Sequence, residues 1–156
     1  FLEGQPAHMT TALRGRLAAA FAAAGLDADR HVVFLPRLSY DRYRLLAGQM
    51  DVCLDSIGWS GGNSTLEAIE AGVPVVTLPG AFMRGRHSAA ILGMMGLQDL
   101  VAADAEDYVA KVVALARDAA LRAQRRQDIK ARKTRLHEDR AFIAALDAFL
   151  KSRVAA

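Results

Sequence analysis

Short runs of β-branched and apolar residues alternate with amphipathic stretches of helical period along most of this chain, and that alternation restricts the possible folds more than any other feature. His31-Val32-Val33-Phe34-Leu35 ends at Pro36, Asp51-Val52-Cys53-Leu54-Asp55 is bounded by carboxylates, and Val73-Pro74-Val75-Val76-Thr77-Leu78 stops at Pro79-Gly80. Each has the length and composition of a strand. Residues 10–24 set Leu13, Leu17 and Phe21 on one helical stripe, with Thr10 or Thr11 to cap it and Gly25 to stop it. Ser39 opens a second helix running to about Gln49, and a third runs from Asn63 to Ala71, closed by Gly72. A helix through Ala89, Ile91 and Leu92 follows, then a weak strand near Leu100-Val101. After it comes a helix over 105–117 with Tyr108, Val112 and Leu115 on one face, and further helix beyond that. Strands joined through helices by short connections predict an α/β fold: a Rossmann-like parallel sheet with helices on both faces and right-handed crossovers. Ligands then bind beyond the carboxyl ends of the strands, which directs attention to the loops 3–8, 36–43, 55–63 and 79–86.

The 156 residues are enough for one domain of usual size, and 53% hydrophobic residues suffice to build its core. The expected division is an α/β body over 1–117 and C-terminal helices over 118–156 that pack on it. Cys53, the one cysteine, sits in an apolar run, so an internal disulfide and a thiolate metal cage are both excluded and a buried, inert thiol is expected. No apolar run approaches the ~18 residues of a membrane span, and the first residues lack the pattern of a signal peptide. A reducing, cytoplasmic setting without membrane contact is the expectation. The opening Phe1-Leu2, without Met, reads as a cut inside a strand of something longer.

The segment Asp55-Ser-Ile-Gly-Trp-Ser-Gly-Gly-Asn-Ser-Thr-Leu-Glu67 joins a predicted strand end to a predicted helix start. Gly58, Gly61 and Gly62 let a ligand approach the backbone, and the free amides and dipole of a helix N-terminus attract an anion such as a pyrophosphate. Asn63, Ser64 and Thr65 add side-chain donors. Glu67, one turn on, can accept from the hydroxyls of a ribose. The competing reading is an ordinary glycine-rich turn with Asn63 as N-cap and Glu67 solvated. The loop follows neither the Walker pattern nor Gly-x-Gly-x-x-Gly.

Cys53-Leu54-Asp55, Gly61-Gly62-Asn63-Ser64-Thr65-Leu66-Glu67, the run from Ala71 through Val73-Pro74-Val75-Val76 to Pro79-Gly80, and Arg86 together resemble the C-terminal catalytic region of O-GlcNAc-transferase-like glycosyltransferases. The similarity covers about 34–97. It implies the C-terminal, donor-binding half of a GT-B fold, in which a nucleotide sugar, UDP-GlcNAc or a related UDP-hexose, lies between two Rossmann-like halves and is transferred to a protein Ser/Thr side chain. Carried over by position, Asn63 and Ser64 meet the donor phosphates, with Gly61, Gly62 and Thr65 beside them. Glu67 meets the ribose, Arg37 and Leu38 offer backbone to the base, and Arg86 helps neutralise the diphosphate or orients its loop, a structural ion pair being its equal alternative. Tyr40 and Tyr43 stand where animal members carry Lys and His; a tyrosine can stack on a base but brings no cation, and packing on an amphipathic helix face is the competing reading. The resemblance implies no metal and no cofactor, because a helix terminus and cationic side chains stabilise the departing diphosphate. The catalytic residue is not identified, and the first GT-B half is missing from the sequence, so the isolated chain is expected to bind donor without turnover.

Asp51 and Asp55 bracket a strand and cannot form an Asp-x-Asp metal pair; Asp55 is expected to fix the glycine loop. None of His8, His31, His87 and His137 is assigned to catalysis. Arg122, Arg125, Arg126, Lys130, Arg132, Lys133 and Arg135 make a basic helix without interleaved aromatics, so a solvated face is expected and nucleic acid is disfavoured. Phe142, Leu146 and Phe149 mark a last amphipathic helix expected to pack back on the body. Two rivals remain: a non-catalytic nucleotide-sugar-binding or protein-interaction module, and a nucleotide-sugar epimerase of the same fold.

Overall fold

A computed structural model describes residues 7–137 and 139–154. The chain forms two compact units that meet in sequence at Leu45 and Leu46. The expected loop at 3–8 lies mostly outside the described residues.

In the first unit, α1 (Ala7–Ala23) begins one turn earlier than its sequence suggests, and Thr11 donates back to the carbonyl of Ala7 at 3.3 Å instead of capping. Its stripe is the expected one, with Leu13, Leu17 and Phe21 half-buried and the residues between them exposed. The guanidinium of Arg14 lies 3.9 Å from the centroid of the Phe34 ring, and Phe21 stacks on His31. The strand expected over 31–35 does not form; Leu35 alone makes a bridge, and Val33 is 66% exposed. An interior parallel strand is covered on both faces, and this run is covered on one at most. α2 (Tyr40–Gly48) starts after Ser39, whose carbonyl accepts from the Tyr43 amide, and it runs across the boundary between the units.

In the second unit, β1 (Cys53–Leu54) and β2 (Val75–Val76) pair in parallel with Cys53 opposite Val75 and Leu54 opposite Val76. A parallel bridge from Thr77 to Val101 continues the sheet on the far side of β2. The expected parallel sheet is therefore present among the described residues as two short strands and a bridge. Val73 to Thr77 are all buried, as a strand covered on both faces requires. α3 (Asn63–Glu70) turns out of its C-terminus at Gly72, whose φ of +73° is the left-handed conformation that favours glycine, while the Val73 amide bonds back to Ala68. α4 (His87–Met95) follows β2, and Ile69, Leu92, Met95, Leu97 and Ile129 fill the core. Asp104 caps α5 (Ala105–Arg117), and Asp118 caps α6 (Ala119–Arg132) through two amides at 2.9 Å.

The basic run of α6 is a set of cations laid on helix ends. Arg122 donates to the carbonyls of Leu115 and Ala116 at the end of α5, Arg126 to those of Gly72 and Met50, and Arg132 to that of Gly96, just past α4. Each cation meets exposed carbonyls at a negative dipole end. Arg122 also pairs with Asp51, Arg125 with Asp99 and Asp128, and Lys133 with Glu70. Most of the cations expected to form a solvated face are thus spent inside the unit. α7 (Ala141–Val154) departs from expectation in the other direction. It has no buried residue, and Phe142, Leu146 and Phe149 are 67%, 54% and 54% exposed, because α5, α6 and the turn over 133–136 close the core without it.

Candidate functional site

The glycine loop between β1 and α3 is held from beneath by buried polar groups. Asp55, at the carboxyl end of β1, is 8% exposed, and its two carboxylate oxygens divide the work. Oδ1 accepts the Gly61 amide at 2.7 Å, and Oδ2 accepts the Thr77 hydroxyl at 2.6 Å from the neighbouring strand. The Asp55 carbonyl takes the Tyr108 hydroxyl at 2.9 Å. Burial, reinforced by the Asp55 charge, pushes the Tyr108 phenol up to about 12, so it remains a neutral donor. Asp55 fixes the loop, as its position suggested. The Cys53 thiol is pushed up by burial, with the same aspartate adding to the effect, which fits an inert thiol.

A second cluster locks the loop's far end. Ser60 Oγ accepts the Ser88 amide at 2.9 Å, Ser88 Oγ donates to the Gly61 carbonyl at 3.1 Å, and Ser88 and Thr65 share a hydroxyl contact of 2.7 Å. Every oxygen involved is wholly or largely buried, where an unmade hydrogen bond is costly. Thr65 is accordingly 2% exposed with its hydroxyl turned inward, so this side chain supports the loop and is not an outward donor as the sequence suggested.

What this scaffold presents outward is the start of α3. Gly62 occupies the N-cap, with no side chain to bond the first-turn amides, and Asn63, expected as a possible cap, is instead the first helical residue. Asn63 and Ser64 are exposed, and Glu67, one turn along, is half-buried. Gly61 is required sterically, since a Cβ there would come 2.5 Å from Thr65 Oγ1 and 2.7 Å from Ser64 Oγ. An uncapped helix N-terminus, flanked by Asn and Ser and followed by a carboxylate one turn on, suits an anion with a polyol attached.

Arg86 precedes α4 on the second loop, exposed and without an ion pair among the described residues; His87 beside it is also exposed. Arg37, Leu38, Tyr40 and Tyr43 belong to the first unit. There Arg37 is exposed, Leu38 and Tyr43 are half-buried, and Tyr40 is 61% exposed. The Arg44 guanidinium lies 5.8 Å from the centroid of the Tyr40 ring, so a cation accompanies this tyrosine. Ser60, Thr77, Ser88 and Tyr108 were not anticipated from the sequence.

A mutant of the O-GlcNAc transferase of Thermobaculum terrenum shares this structure with a TM-score of 0.75 and 31% identity, over 91% of this chain and 29% of that one. Among curated relatives, a probable UDP-N-acetylglucosamine–peptide N-acetylglucosaminyltransferase SPINDLY of Solanum lycopersicum is 33% identical over 60% of this chain. The UDP-N-acetylglucosamine–peptide N-acetylglucosaminyltransferase of Caenorhabditis elegans is 32% identical over 61% of it. The chain spans about a tenth of the length of these relatives, 10% and 8%. Residues 11–146 match the family described as Glycosyl transferase family 41, and the chain belongs to that glycosyltransferase family.

Proposed function

We propose that this chain is the donor-binding part of a GT-B glycosyltransferase that moves a sugar from a nucleotide sugar, UDP-GlcNAc or a related UDP-hexose, to Ser or Thr of a protein. The observation that carries the reading is the uncapped start of α3 on a rigid base: exposed Asn63 and Ser64 beside Gly62, with Asp55 and Ser88 immobilising the loop below. A preorganised set of amides stabilises a diphosphate in the ground state and, more strongly, the charge that builds on it as the glycosidic bond breaks. Glu67 holds the ribose, and Arg86 supplies a cation from the adjacent loop. Transfer through these groups needs no metal, since amides and arginine supply the charge compensation. We place the enzyme in the cytoplasm. The names of the similar proteins, each a peptide N-acetylglucosaminyltransferase, support the acceptor class.

Calorimetry with UDP, GDP and their sugar conjugates, in EDTA, tests this reading. Saturable UDP binding weakened by both Glu67→Ala and Ser64→Ala is expected, each by about tenfold, the effect of one lost charge-assisted hydrogen bond. Binding that ignores both substitutions, or that requires a divalent cation, defeats the assignment.

A further inference from the structure

Beside the α3 N-terminus two loops are fastened into one rim. The Ser60 amide donates to the Arg84 carbonyl at 2.8 Å, and the backbone of Gly85 packs so close to Gly58 and Gly80 that an added Cβ would meet both at 3.3 Å. On this rigid rim stand Ile57, Trp59, Phe82 and Met83, exposed by 59%, 71%, 66% and 79%. Arg84 lies over Phe82 at 4.7 Å from the ring centroid. Neither Arg84 nor Arg86 is ion-paired among the described residues, and the rim between Ile57 and Arg86 carries no exposed carboxylate outside the helix α3.

We propose that this rim is the docking platform for the acceptor polypeptide, and that it selects segments in which apolar side chains and carboxylates flank the modified hydroxyl. The proposal rests on the glycosyltransferase reading above and deepens it. Large apolar groups held in water on a fixed frame carry a standing cost that a partner relieves. Aromatic, Met and Arg side chains are the residues enriched where proteins grip proteins. A hexose offers one small, hydrated face and needs one aromatic; four large side chains across two loops span more surface than that. Arg84, a cation without an acidic partner among the described residues, sets the sign, since a basic peptide would meet uncompensated like charge and an acidic one would neutralise it. The position follows from the chemistry. The acceptor hydroxyl must reach the sugar carbon attached to the diphosphate, and the rim adjoins the helix start where that diphosphate sits.

Trp59 is the one tryptophan in the chain, so its emission reports on the rim directly. The test titrates the full chain with a short Ser-centred peptide flanked by Asp, Glu and Phe, with its counterpart carrying Lys and Arg in place of the acids, and with free N-acetylglucosamine. Nucleotide binding is followed separately by calorimetry. A saturable blue shift with the acidic peptide alone is expected. Joint Phe82→Ser and Met83→Ser substitution should weaken it by about tenfold, and Arg84→Glu should invert the charge preference, with nucleotide affinity unchanged in both. No shift with either peptide, an equal shift with both, a shift with the free sugar, or a blue shift that grows with protein concentration alone would each overturn the proposal; the last would assign the rim to a second copy of the chain. A peptide response without nucleotide binding would instead remove the donor reading and leave the rim standing.

Discussion

Asp55→Ala is the most informative single change, because it detaches the glycine loop from the sheet without touching any outward-facing group. The carboxylate is 8% exposed and accepts from the Gly61 amide at 2.7 Å and the Thr77 hydroxyl at 2.6 Å. Hydrogen bonds to a charged acceptor contribute about 1.5–3 kcal/mol each, and water entering the vacated space recovers part of that, so a net loss of about 3 kcal/mol is expected. For a chain of this size that lowers the melting temperature by about 6–12 °C. Adding Thr77→Val should restore about 1 kcal/mol, because the hydroxyl stranded by the first change is removed by the second. Urea and thermal unfolding followed by circular dichroism measure Asp55→Ala, Thr77→Val and the double variant, and calorimetry with UDP measures the consequence for the site. If the loop is preorganised by this carboxylate, the affinity of the folded Asp55→Ala protein falls about tenfold or more, since freeing the loop forfeits its ordering. A loss below about 1 kcal/mol, additive behaviour of the pair, or wild-type nucleotide affinity in the destabilised variant would refute the reasoning.

Gly61→Ala should cost about 2 kcal/mol in urea titrations, because its methyl would meet Thr65 Oγ1 at 2.5 Å and that side chain is buried against Ser88. Arg126→Ala, which uncovers the carbonyls of Gly72 and Met50, should lower stability by about 1 kcal/mol. Lys130→Ala, an exposed change on the same helix, should be neutral within about 0.5 kcal/mol; equal effects would mean that the basic stripe acts only through net charge. Hydrogen bonding from Lys133, with a further contribution from His137, holds the Glu70 carboxyl below its ordinary 4.5. A group lowered in the folded state contributes stability above its unfolded value and loses it as pH falls through the folded one. Urea midpoints should therefore drop below about pH 4.5, and the drop should be shallower in Glu70→Gln and in 1 M salt, since the pair is partly exposed. An unchanged slope in Glu70→Gln would show that other carboxylates govern the acid limb.

The helices were legible because their signals are local. The 105–117 helix carries its own capping aspartate and a three-residue face, and both its limits and the burial of Tyr108 and Leu115 follow from them. The run over 31–35 carried an equally good local signal and did not become a strand, because a parallel strand is completed by covering elements that its own residues do not encode. The fate of α7 shows the same limit, since an amphipathic stripe states that a face needs covering and not what covers it.

The site divides in the same way. Asn63 and Ser64, exposed at the start of α3, and the half-buried Glu67 one turn on lie where a glycine loop running into a helix puts them. Thr65, in the same motif, was misread because spacing alone does not tell which hydroxyl of consecutive helical residues turns toward the core. Besides Asp55, one more supporting group was within reach of the sequence. Thr77 is a hydroxyl in a fully apolar strand and demands a buried partner. Once Cys53 is set opposite Val75 in a parallel register, Asp55 falls opposite Thr77 two positions on, and its carboxylate meets that hydroxyl. The register that fixes the sheet is thus the register that fixes the loop, and it leaves Asp55 bound to structure on both oxygens and so unsuited to act on a substrate. Ser60 and Ser88 gave no such clue; they are 28 residues apart and meet only because two loops leave the same sheet edge side by side. On the proposed reading, chemistry at this edge falls to groups that the inner network leaves free, namely the amides and side chains at the start of α3 and Arg86 of the second loop.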